Sequence, residues 1–578
     1  MASQSAKILV AAIDFGTTYS GYAFSFRHDF EQDACKISSH NWPAASRGLV
    51  SLKTPTSILL NPQEEFDCFG YDAEDRYTAL ANEDLHKNWF YFRRFKMMLH
   101  GSLGIKRDVK VKTFDSQKEL PAMKIFSVAI KYLKDHLMET LNKRNTGVRR
   151  DDIQWVLTVP AIWNDPAKQF MREAAEKAGI DDLIISLEPE AASLFCKYMP
   201  IEKGTDDFKT FQPGNKYIVL DCGGGTVDIT VHQVQQDKTL KELFKASGGA
   251  WGGTQVDEAF KQLIIKIVGS PVYLNFCEKN AADFVDMFRE FELKKRGFSG
   301  EGNKQITIKI PVSLQETFEE DTGETIQEVL GQTSLSGKLK WAGDKLRISS
   351  ILFATFFDKA TTNIIEHLKK LLKEPEVEGT TNIIMVGGFS ESPLIQKKVK
   401  EEFPKMHVLI PAEAGLSVLK GAVIFGHLPK TISSRKAKYT YGLATMTKFI
   451  KGKHREDKKE TIGNQVKCKD IFSIHVEKGQ TLELDEAQSD RSYNPVDPEQ
   501  KEIIFQFYIS DSEDPMYVTD SGCTHIGKME VKIPDTSGGL DRQVTVQLIF
   551  GGTELKVKAI IQKTKKEVIA KLQFLDKD

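Results

Sequence analysis

Short unbroken apolar runs, each stopped by Asp or Gly, recur through the first three-quarters of the chain. Lys7–Phe15 (KILVAAIDF), Tyr217–Cys222 (YIVLDC) and Thr380–Gly388 (TTNIIMVGG) predict buried strands. Pro166–Ile180 (PAKQFMREAAEKAGI) predicts a helix, with Pro in its first turn and Gly179 near its end. Strands and helices alternating in this way predict α/β layers. After about Gly426 the pattern changes. Gly426–Gly442 (GHLPKTISSRKAKYTYG) is polar and basic without a helical period and predicts a linker. Beyond it EIIFQFYIS, QVTVQLIF, ELKVKAII and EVIAKLQF predict strands, the last two flanking Gln562–Lys566 (QKTKK), a hairpin loop that lacks glycine. The charged stretch Lys451–Glu460 (KGKHREDKKE) predicts a solvated loop rather than a basic binding patch.

Two hairpins share one plan. Ala11–Phe24 (AAIDFGTTYSGYAF) and Tyr217–Val231 (YIVLDCGGGTVDITV) each run from an apolar strand to Asp, then through a glycine-rich turn with Thr into a second apolar strand. Asp14 and Asp221 are too far apart for a solenoid repeat and suit two lobes of one domain. Glycine bends tightly and lets backbone N–H groups face a ligand closely, which suits phosphate oxygens. Thr17, Thr18 and Thr226 add hydroxyl donors. Asp14, Asp221 and Asp228 would repel a bare anion, so a hydrated Mg²⁺ between them and the phosphates makes sense of the set. A plain turn with Asp as turn former accounts for one such hairpin, but poorly for two matched ones. No G-x-x-x-x-G-K-[ST] occurs, which excludes a P-loop.

Composition narrows the picture. The chain has 578 residues, 40% apolar and 28% charged, which predicts a folded protein of more than one domain. Lys plus Arg is 79 and Asp plus Glu is 80, so no global field draws it to nucleic acid or an anionic membrane. Seven cysteines without a CxxC pair point to a reducing compartment, and no apolar run is long enough to span a bilayer. The expectation is a cytoplasmic location, or a nuclear one as well. The twelve histidines show no clustered ligand spacing for a metal.

The ordered motifs resemble the actin, sugar-kinase and 70-kDa heat-shock protein superfamily over nearly the whole chain. They are closest to the heat-shock chaperones, and more narrowly to their divergent heat-shock 70 kDa protein 12 branch. IDFGTTYSGYAF and LDCGGGTVDITV resemble the two phosphate loops. VLTVPAIWND (Val156–Asp165) resembles the segment joining the lobes, and LEPEAASL (Leu187–Leu194) the loop with a metal-side glutamate. GGTQVDEAF (Gly252–Phe260) follows in order. FELKKRGFS (Phe291–Ser299) and IIMVGGFSESPLIQ (Ile383–Gln396) resemble the two adenosine segments, while RKAKYTYG supports the branch.

The resemblance implies a two-lobed, actin-like (RNase H-like) α/β ATPase domain over residues 1–428, its second lobe starting near 215. A linker over 429–441 and a smaller β-rich partner-binding domain over 442–578 would follow. It places Asp14, Asp221 and Glu188 around the waters of Mg²⁺, and Gly16, Thr17, Thr18 and Tyr19, with Gly223, Gly224, Gly225 and Thr226, on the phosphates of ATP or ADP. Asp228 would orient the attacking water, with Asp14 and Glu188 in the catalytic set. Glu292, Lys295, Arg296 and Ser299 would hold ribose and base, and Gly387 and Gly388 would pack on the nucleoside.

Four departures qualify these expectations. Glu74 in FGYDAED stands where such chaperones carry a lysine near the γ-phosphate, with Arg76 as a nearby stand-in, so turnover is expected to be weak or absent. Glu391 stands where an arginine stacks on adenine. The linker is basic rather than leucine-rich, which puts the usual interdomain coupling in doubt. The last hairpin closes near Asp578, so the β domain is expected to lack a helical lid. The reading is an ATP- or ADP-binding chaperone-like protein acting on protein clients or signalling partners, at most a weak ATPase. The alternatives are a nucleotide-binding pseudo-enzyme scaffold or a small-molecule kinase of the same fold.

Overall fold

β1 (Leu9–Phe15) is buried along its whole length, as its apolar run demands. β2 (Tyr19–Phe26) returns antiparallel to it, with Asp14 opposite Gly21. β3 (Ile153–Val159) pairs with β1 in parallel, and β4 (Leu183–Leu187) with β3 in parallel. The computed structural model describes residues 7–44, 49–101, 105–199, 209–302, 305–333, 335–463, 465–551, 554–571 and 574–575. The second lobe repeats the plan. β5 (Lys216–Cys222) and β6 (Val227–Val234) form an antiparallel hairpin with Asp221 opposite Asp228, and β7 (Leu240–Gly249) continues it. On the other side β8 (Asn382–Val386) pairs with β5 in parallel and β9 (His407–Leu409) with β8. The result is the expected two-lobed α/β architecture.

Helices cover these sheets for readable reasons. α1 (Tyr71–Asn82) lies in the first lobe. α2 (Asp165–Lys177) starts where Asn164 caps the Ala167 N–H, with Pro in its first turn, and the chain leaves it through Gly179 at φ +80°. α3 (Glu188–Tyr198) follows β4 directly, and α4 (Ala281–Gly297) belongs to the second lobe. α5 (Ser417–His427) crosses α3 between the lobes. A Cβ on Gly421 would sit 1.7 Å from the Ala191 carbonyl oxygen, so only glycine permits that crossing. Val219, Ile384, Leu194 and Val423 are fully buried in the core between the two sheets. Among the described residues no helix is long and apolar enough to cross a membrane.

The C-terminal part is a two-sheet sandwich. One sheet takes Thr440–Lys448, Lys459–Ile462, Gln465–Val476, Glu502–Ser510 and Cys523–Lys532, the other Ala487–Tyr493, Val544–Gly551, Glu554–Ile561 and Lys566–Lys571. Side chains of EIIFQFYIS alternate between buried and exposed, the mark of a strand with one face on a core. The glycine-free loop QKTKK does close a hairpin, with Lys565 taking φ +55°.

Two expectations need correction. The basic stretch read as a linker begins within α5, which ends at His427, and holds a strand, β10 (Ile432–Lys436). β10 pairs with β7 in parallel and with Thr481–Glu483 of the C-terminal part in antiparallel, so one sheet runs from the second lobe into the sandwich region. An open sheet edge offers unpaired N–H and C=O groups, and β10 supplies their partners whatever its charge. Its charge is also answered. Arg435 forks onto Glu190 at 2.7 and 2.5 Å, with both residues buried, and Glu242 accepts the Lys436 N–H at 2.7 Å. The stretch KGKHREDKKE is not solvated throughout, since Lys458 is buried and pairs with Asp470 at 2.8 Å.

Breaking the Arg435–Glu190 fork leaves a buried carboxylate unpaired. Arg435→Met is therefore expected to destabilise the protein by about 3–5 kcal/mol, and Glu190→Gln in the same chain to restore most of it. Urea unfolding of the three proteins checks this; no rescue by the second change would refute the pairing as the cause.

Candidate functional site

Four carboxylates meet at the carboxyl ends of the parallel strands, where open α/β sheets commonly bind ligands. Asp14 is the penultimate residue of β1, Glu188 follows β4 as the first residue of α3, and Asp221 and Asp228 face each other across β5 and β6. The three aspartates are buried, and the Glu188 side chain is only 13% exposed. Asp14 Oδ1 accepts from Thr158 Oγ1 at 2.8 Å and Oδ2 pairs with Lys53 Nζ at 2.6 Å. Glu188 Oε1 pairs with Lys96 Nζ at 2.7 Å, and Lys96 lies over the Trp163 ring at 5.1 Å. Asp228 Oδ1 accepts the Ile162 N–H at 2.9 Å.

Burial and like charge set the protonation of this group. Burial works against ionisation of Asp14, but Lys53 and Lys96 outweigh it and hold the carboxyl below its ordinary range. Burial, only partly countered by Lys96 and reinforced by Asp14 and Asp228, lifts Glu188 to about 7. Burial and the neighbouring Glu188, Asp228 and Asp14 push Asp221 well up. Burial also raises Asp228 against the Ile162 N–H. A cluster of oxygen donors that resists ionising together suits a hard divalent cation. Among the described residues no group of three or more His, Cys, Asp and Glu is arranged to hold a metal ion. The oxygen-only donor set is of the kind a hydrated Mg²⁺ accepts.

The two glycine turns touch. A Cβ on Gly224 would lie 2.2 Å from Thr18 Oγ1, and one on Gly225 2.6 Å from Thr17 Oγ1. Gly16 is equally constrained, by the Tyr19 carbonyl at 2.2 Å, and Gly223 donates to the Thr226 carbonyl at 2.9 Å. The segment GGTQVDEAF backs the second turn: Gly252, Gly253 and Thr254 N–H groups donate to the carbonyls of Gly225, Gly223 and Gly224. Thr226 is buried and its side chain bonds to Asp228.

On α4, Glu292 pairs with Lys295 at 2.5 Å and Arg296 at 2.8 Å, and Arg296 stacks over Tyr19 at 5.0 Å. Although burial opposes it, Lys295 and Arg296 bring Glu292 down to about 2. Lys295 also reaches Asp257 at 2.7 Å, which Arg94 meets from the first lobe at 2.8 Å. Ser299 accepts the Glu301 N–H at 3.3 Å, beyond the end of that helix. Gly387 takes φ +85°, and a Cβ there would lie 2.3 Å from Asp221 Oδ1, while Gly388 borders open space.

Two departures acquire a different meaning. Glu74 does not face the carboxylates: on α1 it accepts from Arg289 of α4 at 3.1 and 3.2 Å, an ion pair between the lobes. Arg76 lies over Trp89 at 5.6 Å. The ammonium groups at the cluster are Lys53 and Lys96, which the sequence reading passed over. Lys96 had a signal: it is a lone charge in the apolar run Phe95–Leu99 and is 2% exposed. Lys53 had none. Glu391 accepts the Gly415 N–H at 2.9 Å.

A family described as Hsp70 protein matches residues 96–492. Heat shock 70 kDa protein 12B of Homo sapiens is 34% identical over 98% of this chain and 91% of its own length. Heat shock 70 kDa protein 12A of Homo sapiens is 34% identical over 100% of this chain and 93% of its own length. Chaperone protein DnaK of Endomicrobium trichonymphae is 25% identical over 58% of this chain and 49% of its own length.

The raised carboxyls carry a pH signature in the metal- and nucleotide-free protein. Glu188 at about 7 lies above its unfolded range, so the folded state holds a proton that the unfolded state releases, and stability falls as pH rises through 7. With a chelator present, the Tm of the wild type relative to Glu188→Gln is expected to fall between about pH 5 and about pH 7.5 and to level off above, a difference in which the histidines cancel. Asp221→Asn is expected to raise Tm at pH 8 by removing one of the crowded charges. A flat profile, or a lower Tm for the variant, would contradict the crowding.

Proposed function

The chain belongs to the Hsp70 family, in the divergent branch of heat shock 70 kDa proteins 12A and 12B, and on that premise we propose that its cleft binds ATP and ADP with Mg²⁺ to govern a protein-binding β domain. The observation that carries the reading is the meeting of Asp14, Glu188, Asp221 and Asp228 beneath two touching glycine turns. Family proteins of this kind are nucleotide-binding and chaperone-like.

Bound Mg²⁺ would neutralise phosphate charge. Asp14, Asp221 and Glu188 would orient its waters. Gly16 to Tyr19 and Gly223 to Thr226 would grip phosphate oxygens by N–H and hydroxyl donors from both lobes. Asp228, held at Oδ1 by the Ile162 N–H, would orient an attacking water. Glu292, Lys295, Arg296 and Ser299 would bind ribose and base, with Gly387 and Gly388 beneath the nucleoside.

Slow hydrolysis remains the proposal, on a different ground from Glu74. Lys53 and Lys96 are engaged by Asp14 and Glu188 and so are not free to face a phosphoryl group. The β domain over about 442–578 would bind protein clients or signalling partners, in the cytoplasm or also the nucleus. Nucleotide state would reach it along β10: Lys438, just after that strand, donates to the Ile162 carbonyl at 2.6 Å, and the same residue's N–H holds Asp228.

Calorimetric titration with ADP and ATP in Mg²⁺ tests the core of this. Binding is expected in the wild type, weakened at least about tenfold in Asp221→Asn, together with phosphate release from ATP alone at a low rate. Release that requires an added small substrate would favour a kinase of this fold, and no binding of either nucleotide would leave a scaffold.

A further inference from the structure

Lys53 spans the floor of the cleft. Its Nζ lies 2.6 Å from Asp14 Oδ2 in the first lobe and 2.7 Å from the Gly415 carbonyl in the second. Gly415 in turn donates its N–H to Glu391 Oε1 at 2.9 Å. A continuous polar link therefore runs from a cluster carboxylate to the segment assigned to the nucleoside, and a fixed positive charge of this chain stands in the middle of it.

The position is built rather than incidental. The Lys53 side chain is 17% exposed and Asp14 7%, so little water screens the pair. The stem reaches Asp14 across β2, where the residue opposite Asp14 is Gly21. A Cβ on Gly21 would lie 3.2 Å from Lys53 Cγ and 3.2 Å from the Leu52 carbonyl oxygen, so a larger residue would crowd the path. Thr158 takes the other oxygen of Asp14, which leaves neither oxygen of that carboxylate without a protein donor. Lys96 treats Glu188 in the same way at 2.7 Å.

Four clustered carboxylates alone would need a divalent ion before a polyphosphate could approach. Two ammonium groups, the buried Lys96 and the largely covered Lys53, answer two of the four carboxylates from within the chain. We propose that Lys53 is a resident cation of the cleft, taking over part of the neutralisation otherwise left to Mg²⁺, so that a nucleoside diphosphate binds with only weak dependence on divalent metal. This rests on the nucleotide reading above. It also accounts for Glu391, whose carboxylate fixes the Gly415 peptide that Lys53 uses as its second anchor.

The test is calorimetric titration of the full chain with ADP, once in excess Mg²⁺ and once in EDTA. For the wild type the Kd in EDTA is expected to stay within about tenfold of that in Mg²⁺, and for Lys53→Met the same ratio is expected to exceed about thirtyfold, in line with the strength of close charge pairs. Lys53→Gln, which keeps a polar donor on the side chain but no charge, is expected to behave as Lys53→Met and stands in for it if the methionine variant does not fold. Loss of wild-type binding by more than tenfold on chelation overturns the proposal, as does a glutamine variant as tolerant of EDTA as the wild type. Absence of ADP binding in both media instead overturns the nucleotide reading itself.

Discussion

Repulsion among buried carboxylates is the constraint around which this molecule is arranged. Asp14, Asp221, Asp228 and Glu188 come from four different strands or strand ends, yet all point to one small volume with little water. At short range and reduced dielectric, such a group cannot remain fully ionised without counter-charge. The surroundings respond in several ways. Lys53 and Lys96 bring charge, Thr158 and the Ile162 N–H bring dipoles, and Gly387 forgoes a side chain so that Asp221 fits. The stability forfeited here is what a functional site commonly costs its fold.

The same turn of α3 faces two ways. Glu188 meets Lys96 at the cluster, and Glu190, two residues on, meets Arg435 of β10. That turn therefore contacts both the cleft and the strand that joins the sandwich to the second lobe. A second path runs through Ile162, whose carbonyl accepts from Lys438 and whose N–H donates to Asp228. The charge pattern is consistent: Arg435 forks onto Glu190 and has its charge favoured by Glu242, and Asp165 favours the charge of Lys438. The basic side chains of the segment thus find carboxylates on the lobes, beside the strand pairing that holds it to the sheet.

How far the chain could be read without its structure follows from the kind of signal each feature leaves. The apolar runs of β1, β5 and β8, the proline-led start of α2 and the β-rich runs of the sandwich are local patterns, and they form where expected. Asp14, Asp221 and Asp228 were legible because they sit in matched glycine hairpins, whereas Glu188 entered only through the resemblance carried by LEPEAASL. Glu74 could be placed in a motif from the sequence, but the partner that takes its side chain could not. Its backbone belongs to α1, and Arg289 across the cleft claims its side chain.

From sequence alone came the α/β layers, the paired hairpins, the β-rich end and the oxygen-donor character of the cleft, since periodicity and turn chemistry are properties of neighbouring residues. Tertiary structure alone decided which cations answer the carboxylates, that β10 completes a sheet, and that Glu391 anchors Gly415. These depend on side chains far apart in sequence. A lysine carries the same charge anywhere along a chain, and only the fold determines which carboxylate it meets out of water.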